Sequence, residues 1–393
     1  MKQTGGIILQ LLYLTPEGIH LAKNGKSIHL PSYRAQHYQN TINEIQQGKA
    51  WKTTGRGAQF MGTAEDPTPH NASVTYGGLA AYEDGLLYTL QLDASGGLYK
   101  RSLSEKAEQE GHICSGNDIR LGDIAVHGSS TAACVRYPNG QSHLALFRLP
   151  SSVYTEITGG DSCELHPGWS PDGRLILFST AGIARRGGEV AAYSPRSLAS
   201  YNIHTECMDT ILESESFDYL MPRMDEQDNL YCIRRPYKMA GEEDASLGSV
   251  LKDVLLFPYR LIKGLFGFLN VFTTLYGGEP LRNSGRRSDV KSKQKSEKDL
   301  FFEGNLIHAE KNRKENEKHG DPHAGILPRS CVLLRRTPDG TEEILARGVL
   351  DYTLCTDGSI VYSNGRFILQ RHPDGSVTEL VKEKLATRLN VLA

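Results

Sequence analysis

Three observations predict the fold class of this 393-residue chain: a hairpin sequence recurs at a fixed offset, an apolar strand–turn–strand unit recurs at intervals of roughly 35 to 50 residues, and 40 residues are glycine. Four-stranded meanders at that spacing build a ring of radiating sheets. The expectation is an all-β, six-bladed β-propeller, closed by N- and C-terminal strands and carrying a long, partly helical insertion in one blade.

The repeated hairpin is LLRRTPDGTEEIL (Leu333 to Leu345) and ILQRHPDGSVTEL (Ile368 to Leu380), 35 residues apart. A shorter copy, GIHLAKNGKSIHL (Gly18 to Leu30), turns on Asn-Gly instead of Asp-Gly. Both dipeptides suit tight turns that need φ > 0. The strand–turn–strand unit is clearest in CELHPGWSPDGRLILFST (Cys163 to Thr180), with looser copies beginning at Asp123, Asp218 and Asp351. The WSPDG turn followed by RLILFS, with HisProGly upstream, resembles the repeat of TolB-type propellers, which are related in shape to WD-repeat propellers. That resemblance covers residues 57–238 and 329–393 and concerns the fold. It implies a protein-binding platform, as many such propellers are, or an enzyme, as a minority are; fold does not dictate function.

The blades read in order as residues 57–117, 118–160, 161–212, 213–345 and 346–381. The sixth combines strands within residues 6–30 with the C-terminal segment LATRLNVLA, which would remove the exposed sheet edge of an open ring. Between the first strands and the next blade, residues 31–51 have the composition of a short surface helix.

Composition narrows the function classes. The net charge of −2 gives no global attraction to nucleic acid, and none is expected as a partner. Seven cysteines, with no CxxC pair, sit largely in apolar runs such as TAACVRY and NLYCIRR, as small hydrophobes rather than disulfides. The N-terminal MKQTGGIILQLLYLTPEG runs directly into strand pattern without a small-residue cleavage site, so the expected location is cytoplasmic.

After NLYCIRRPY (Asn229 to Tyr237) the next strand of that blade is SCVLLRR (Ser330 to Arg336), which makes residues 239–328 an insertion within a ring of 1–238 and 329–393. Insertions of this length are functional or disordered. Residues 249–276 read as an apolar, partly amphipathic helix, its charge-free run from Gly264 to Gly277 too short for a bilayer. The following segment is charged and expected to be disordered. An apolar helix beside a basic cluster suits docking to a protein partner or, peripherally, to an anionic membrane, where each basic residue adds roughly 1 kcal/mol. The docking residues would be Leu255, Phe257, Arg260, Lys263, Phe266, Phe268 and Phe272, with Arg286 and Arg287 from the cluster.

No GxSxG or HExxH motif occurs, and AsnGlyLysSer at 24–27 has His20 where a phosphate-binding loop needs glycine, so it reads as a hairpin turn. His308, His319 and His323 lack a strong additional ligand, and no metal or cofactor is expected. Channel-mouth candidates are His70, Asp118, His127, His166, Asp218 and Asp351, near the entries of presumed inner strands. Such residues usually hydrogen-bond neighbouring blades; a histidine converging with two carboxylates would suit acid–base chemistry. The leading function is a non-catalytic interaction platform. The alternative is a hydrolase- or lyase-like enzyme at the channel mouth.

Overall fold

The computed structural model describes residues 9–53, 73–93, 95–103, 110–237, 299–302 and 305–392. The chain opens with β1 (Gln10–Thr15), β2 (Gly18–Lys23) and β3 (Lys26–Leu30), then α1 (Tyr33–Thr53). Blade 2 is β4 (Val74–Tyr82), β5 (Gly85–Leu92), β6 (Gly96–Ser102) and β7 (Gly111–Gly116); blade 3 is β8 (Leu121–His127), β9 (Ser130–Arg136), β10 (Ser142–Arg148) and β11 (Tyr154–Glu156). Blade 4 pairs β12 (Leu165–Trp169), β13 (Leu175–Thr180), β16 (Ser197–Asn202) and β17 (Met208–Leu212), with a separate hairpin, β14 (Ile183–Arg186) and β15 (Glu189–Tyr193), between its second and third strands.

Blade 5 likewise pairs β18 (Phe217–Met224) and β19 (Leu230–Pro236) with β22 (Val332–Arg336) and β23 (Glu342–Arg347). Its interruption includes β20 (Asp299–Phe302), β21 (Asn305–His308) and α2 (Ala309–Lys318). Blade 6 is β24 (Asp351–Leu354), β25 (Ile360–Ser363), β26 (Ile368–Arg371) and β27 (Val377–Val381). Finally β28 (Thr387–Leu392) pairs antiparallel with β1 as the inner strand of blade 1. The ring is a six-bladed β-propeller.

Burial follows distance from the axis. In β5 every residue except Gln91 is buried, because neighbouring blades cover both faces, whereas β3 and β27 are exposed over most of their length. Runs such as GLLYTLQL are therefore nearly continuous in apolar character instead of alternating, and each fully buried Leu contributes about 1.5–3 kcal/mol. Five of the seven cysteines are buried, and all seven are free.

Antiparallel pairing sorts the connections between the two ends of the ring. First-to-second and third-to-fourth turns fall at one end. Second-to-third connections and the links to the next blade fall at the other. The Asn24–Gly25 and WSPDG turns lie at the first end; the β14–β15 hairpin and the blade 5 insertion leave from the second.

The apolar helix expected at 249–276 lies outside the described residues. So does the charged half as far as residue 298; residues 305–328 of it are folded, where disorder was expected. Helix α2 is stabilised by the Lys314–Glu310 pair at 3.0 Å and by Arg313 with Glu317, and it stops at Gly320, φ +75°, in a Schellman turn that satisfies the carbonyls of Glu317 and Asn316. Its buried face is polar: Asn312 Nδ2 donates to Ile326 O at 3.0 Å, and Asn316 Nδ2 to Gly325 O and Leu327 O, each at 3.0 Å. This arm is tied to blade 6 by Ile326 N to Asn364 O at 3.1 Å and Asn364 Nδ2 to His323 O at 2.6 Å.

Candidate functional site

The inner strands share a local device. In five of the six, two residues stand opposite one on the neighbouring strand, a β-bulge, at Gly77–Gly78, Gly122–Asp123, His166–Pro167, Met221–Pro222 and Arg388–Leu389. His166, Met221 and Arg388 have φ of 56°, 54° and 53°, left-handed conformations that cost about 1–3 kcal/mol each in a side-chain-bearing residue. A bulge leaves ladder N–H groups without partners. Pro167 and Pro222 solve this by having none.

Carboxylates solve it elsewhere. Asp123 Oδ2 in blade 3 accepts His166 N of blade 4 at 3.1 Å. Asp351 in blade 6 accepts Arg388 N at 2.7 Å and Leu389 N at 3.4 Å, both in blade 1. The Arg388 guanidinium then reaches across the channel to Asp123 Oδ1 at 2.6 Å and lies 3.7 Å from Asp351 Oδ2. One arginine thus joins blades 1, 3 and 6. Burial pushes the Asp351 carboxyl above its ordinary value, against the opposing pull of Arg388.

A cavity of about 330 Å³ occupies the channel and is lined from all six inner strands. Trp169 donates its indole N–H to Ala125 O at 3.0 Å and stands beside His127, ring centroids 5.8 Å apart. Arg223 donates through Nη1 to Pro167 O at 3.1 Å and Pro222 O at 2.7 Å, carbonyls of two adjacent bulges. Its passage requires Gly168: a Cβ there would lie 2.6 Å from Pro222 O and 2.8 Å from Arg223 Nη1.

Of the candidates read from sequence, His127, His166 and Asp351 line this cavity. His166 is buried, its Nδ1 2.9 Å from Ser179 Oγ. Asp218 is buried but sits between blades 4 and 5, accepting Arg196 N at 2.9 Å and Arg235 Nε at 3.0 Å, and it does not line the cavity. Asp118 is exposed on the link into blade 3, away from the cavity lining. His70 and all nine docking candidates from Leu255 to Arg287 lie outside the described residues. Asp123, Arg223 and Arg388 were not legible as channel residues, because the bulges that hold or precede them, GlyAsp, MetPro and ArgLeu, share no motif. The Asp123 copy of the strand–turn–strand unit was the available clue.

His308, His319 and His323 do not form a cluster. Among the described residues no group of three His, Cys, Asp or Glu side chains has a metal-binding arrangement. No described helix is long and apolar enough to cross a membrane.

No protein-family model matches the chain, and no curated protein does. Among solved structures it is similar to TolB from Acinetobacter baumannii, at 10% identity over 99% of this chain and 84% of that one, with a TM-score of 0.43. A putative TolB from Agrobacterium tumefaciens is 12% identical over 78% and 80% of the two chains, TM-score 0.39. A chain of a nidogen/laminin complex is 6% identical over 98% of each, TM-score 0.48. These are likenesses of fold, and the six blades themselves follow from the strand pairing and closure of this chain.

Proposed function

We propose that the ring is a non-catalytic platform for protein–protein interaction, binding its partner at the end from which the insertions leave. The observation that supports this reading is the use of the channel acids. Asp123 and Asp351 are spent on main-chain N–H groups of the next blade and on Arg388, so they hold the ring together.

The same end carries a built edge. Arg185 of the β14–β15 hairpin pairs with Asp161 at 2.8 Å and donates to Asn139 O at 3.0 Å, while Tyr237 donates to Tyr193 O at 2.7 Å. Those contacts leave Arg186 and Glu189 exposed at the hairpin tip. The finer part of the proposal is that the insertion, through residues such as Phe257, Arg260, Phe266 and Arg287, reaches the partner or an anionic membrane surface on the cytoplasmic side. Its composition supports that part.

Capture of partners from lysate by the full chain tests the platform. Charge reversal at the hairpin tip (Arg186→Glu with Glu189→Arg), or internal deletion of 240–298, should remove a captured protein, and the cavity-filling Ala81→Phe should retain it. A partner set unchanged by the first two would overturn the reading. Flotation with phosphatidylserine vesicles tests the membrane half, where the deletion should abolish binding. The deletion stops at 298 because residues 305–328 are packed on the ring.

A further inference from the structure

The channel cavity has unequal walls and floor. Leu79, Ala80, Trp169, Met221, Met224 and Leu389 supply apolar surface, two of them adaptable methionines. The floor holds Asp123, Asp351, Arg388 and Arg223. The first three pair with one another, and the two aspartates accept the bulge N–H groups. Arg223 differs. Its acceptors, Pro167 O and Pro222 O, are neutral and both engage Nη1. Among the described residues no carboxylate lies within ion-pair distance of it, and its Nη2 and Nε have no protein partner.

A guanidinium pinned along one side by two carbonyls, with N–H groups left over in a cavity, is a fixed fork for a planar oxyanion. The four floor charges sum to zero, so a monoanion is matched far better than a dianion, which Asp123 and Asp351 would repel. The volume, about 330 Å³, lies at the small end of ligand pockets. We propose that this cavity binds a small monocarboxylate with an apolar body, the carboxylate on Arg223 and the body against Trp169, Met221 and Met224. The site is independent of the partner-binding end, so a small ligand and a protein partner can be tested separately.

The test is isothermal titration of the full chain with hexanoate and with 4-phenylbutyrate, alongside 4-phenylbutyramide and inorganic phosphate. Saturable binding of a carboxylate is expected, about tenfold or more tighter than the amide, since a hydrogen bond to a charged group is lost. Arg223→Gln should weaken the carboxylate by a similar factor and leave the amide unchanged. Ala81→Phe fills the cavity from β4 without touching Arg223 and should abolish binding of both. No saturable binding by either carboxylate, equal binding of the amide, tighter binding of phosphate, or full binding by Ala81→Phe would each overturn the proposal. Should Arg223→Gln fail to fold, the amide comparison and Ala81→Phe still decide it.

Discussion

Aspartate makes the same hydrogen bond at the turn end of the ring and in the channel, over very different reaches of chain. At the turns it is local: Asp357 accepts Ser359 N at 2.9 Å and Asp374 accepts Ser376 N at 2.8 Å, each two residues on. In the channel it is remote, with Asp123 serving His166 and Asp351 serving Arg388. Local bonds shape a hairpin that would turn anyway. Remote ones decide how two blades meet, through carboxylates that are themselves buried.

The comparison is broken most severely by Asp351→Ala, which removes one of the two carboxylates facing a largely buried Arg388 and strands two bulge N–H groups. A loss of about 3–5 kcal/mol is expected by urea denaturation. Gly168→Ala comes next, at about 1–3 kcal/mol, because the added methyl meets the Pro222 carbonyl of the adjacent blade and cannot be relieved by a side-chain rotation. Asn316→Ala removes the donor from two buried carbonyls, and faster amide exchange across residues 309–328 with little change in the blades is its expected signature. The smallest effect is that of Asp374→Ala at an exposed turn, a slight decrease in the urea midpoint.

Acid titration sharpens the same contrast, because the two groups have opposite signs. Hydrogen bonds from Ser359 and Ser376 hold the Asp357 and Asp374 carboxyls below their ordinary values. Their contribution is present above the unfolded value near pH 4 and is lost as pH falls through the folded one. Burial raises Asp351 and Glu164, so the folded state binds the extra proton and their effect on stability falls as pH rises from about 4 through the raised values. Asp357→Asn should therefore lessen the loss of stability in acid, and Glu164→Gln should lessen the loss on the rising side. Urea midpoints between about pH 3 and 7 separate the two slopes; parallel slopes would refute the assignment.

The same division explains what was legible in the sequence. Turn-end features are written in consecutive residues: Asn24–Gly25, Ser170 to Gly173 and the paired ProAspGly hairpins gave six blades and the closing strand. The bulges are set by what the next blade presents, so GlyGly, GlyAsp, HisPro, MetPro and ArgLeu occupy equivalent places with no common residue. Asp351 and His166 were found because they start recognisable strands, and Arg223 and Arg388 were not. Helix α2 is hidden from hydropathy and written in spacing: Glu310–Lys314, Asn312–Asn316 and Arg313–Glu317 are all four apart, with Gly320 as the stop.

The placement of Arg388 sets an order of events during synthesis. Asp123 emerges from the ribosome long before its counter-charge and Asp351 only 37 residues before it, and until then neither carboxylate has it. Only when residues 387–392 are made can the inner strand of blade 1 slide between blades 6 and 2 and bring its guanidinium to the axis. The final pairing, β28 with β1, spans nearly the whole sequence, the kind of contact that forms slowly.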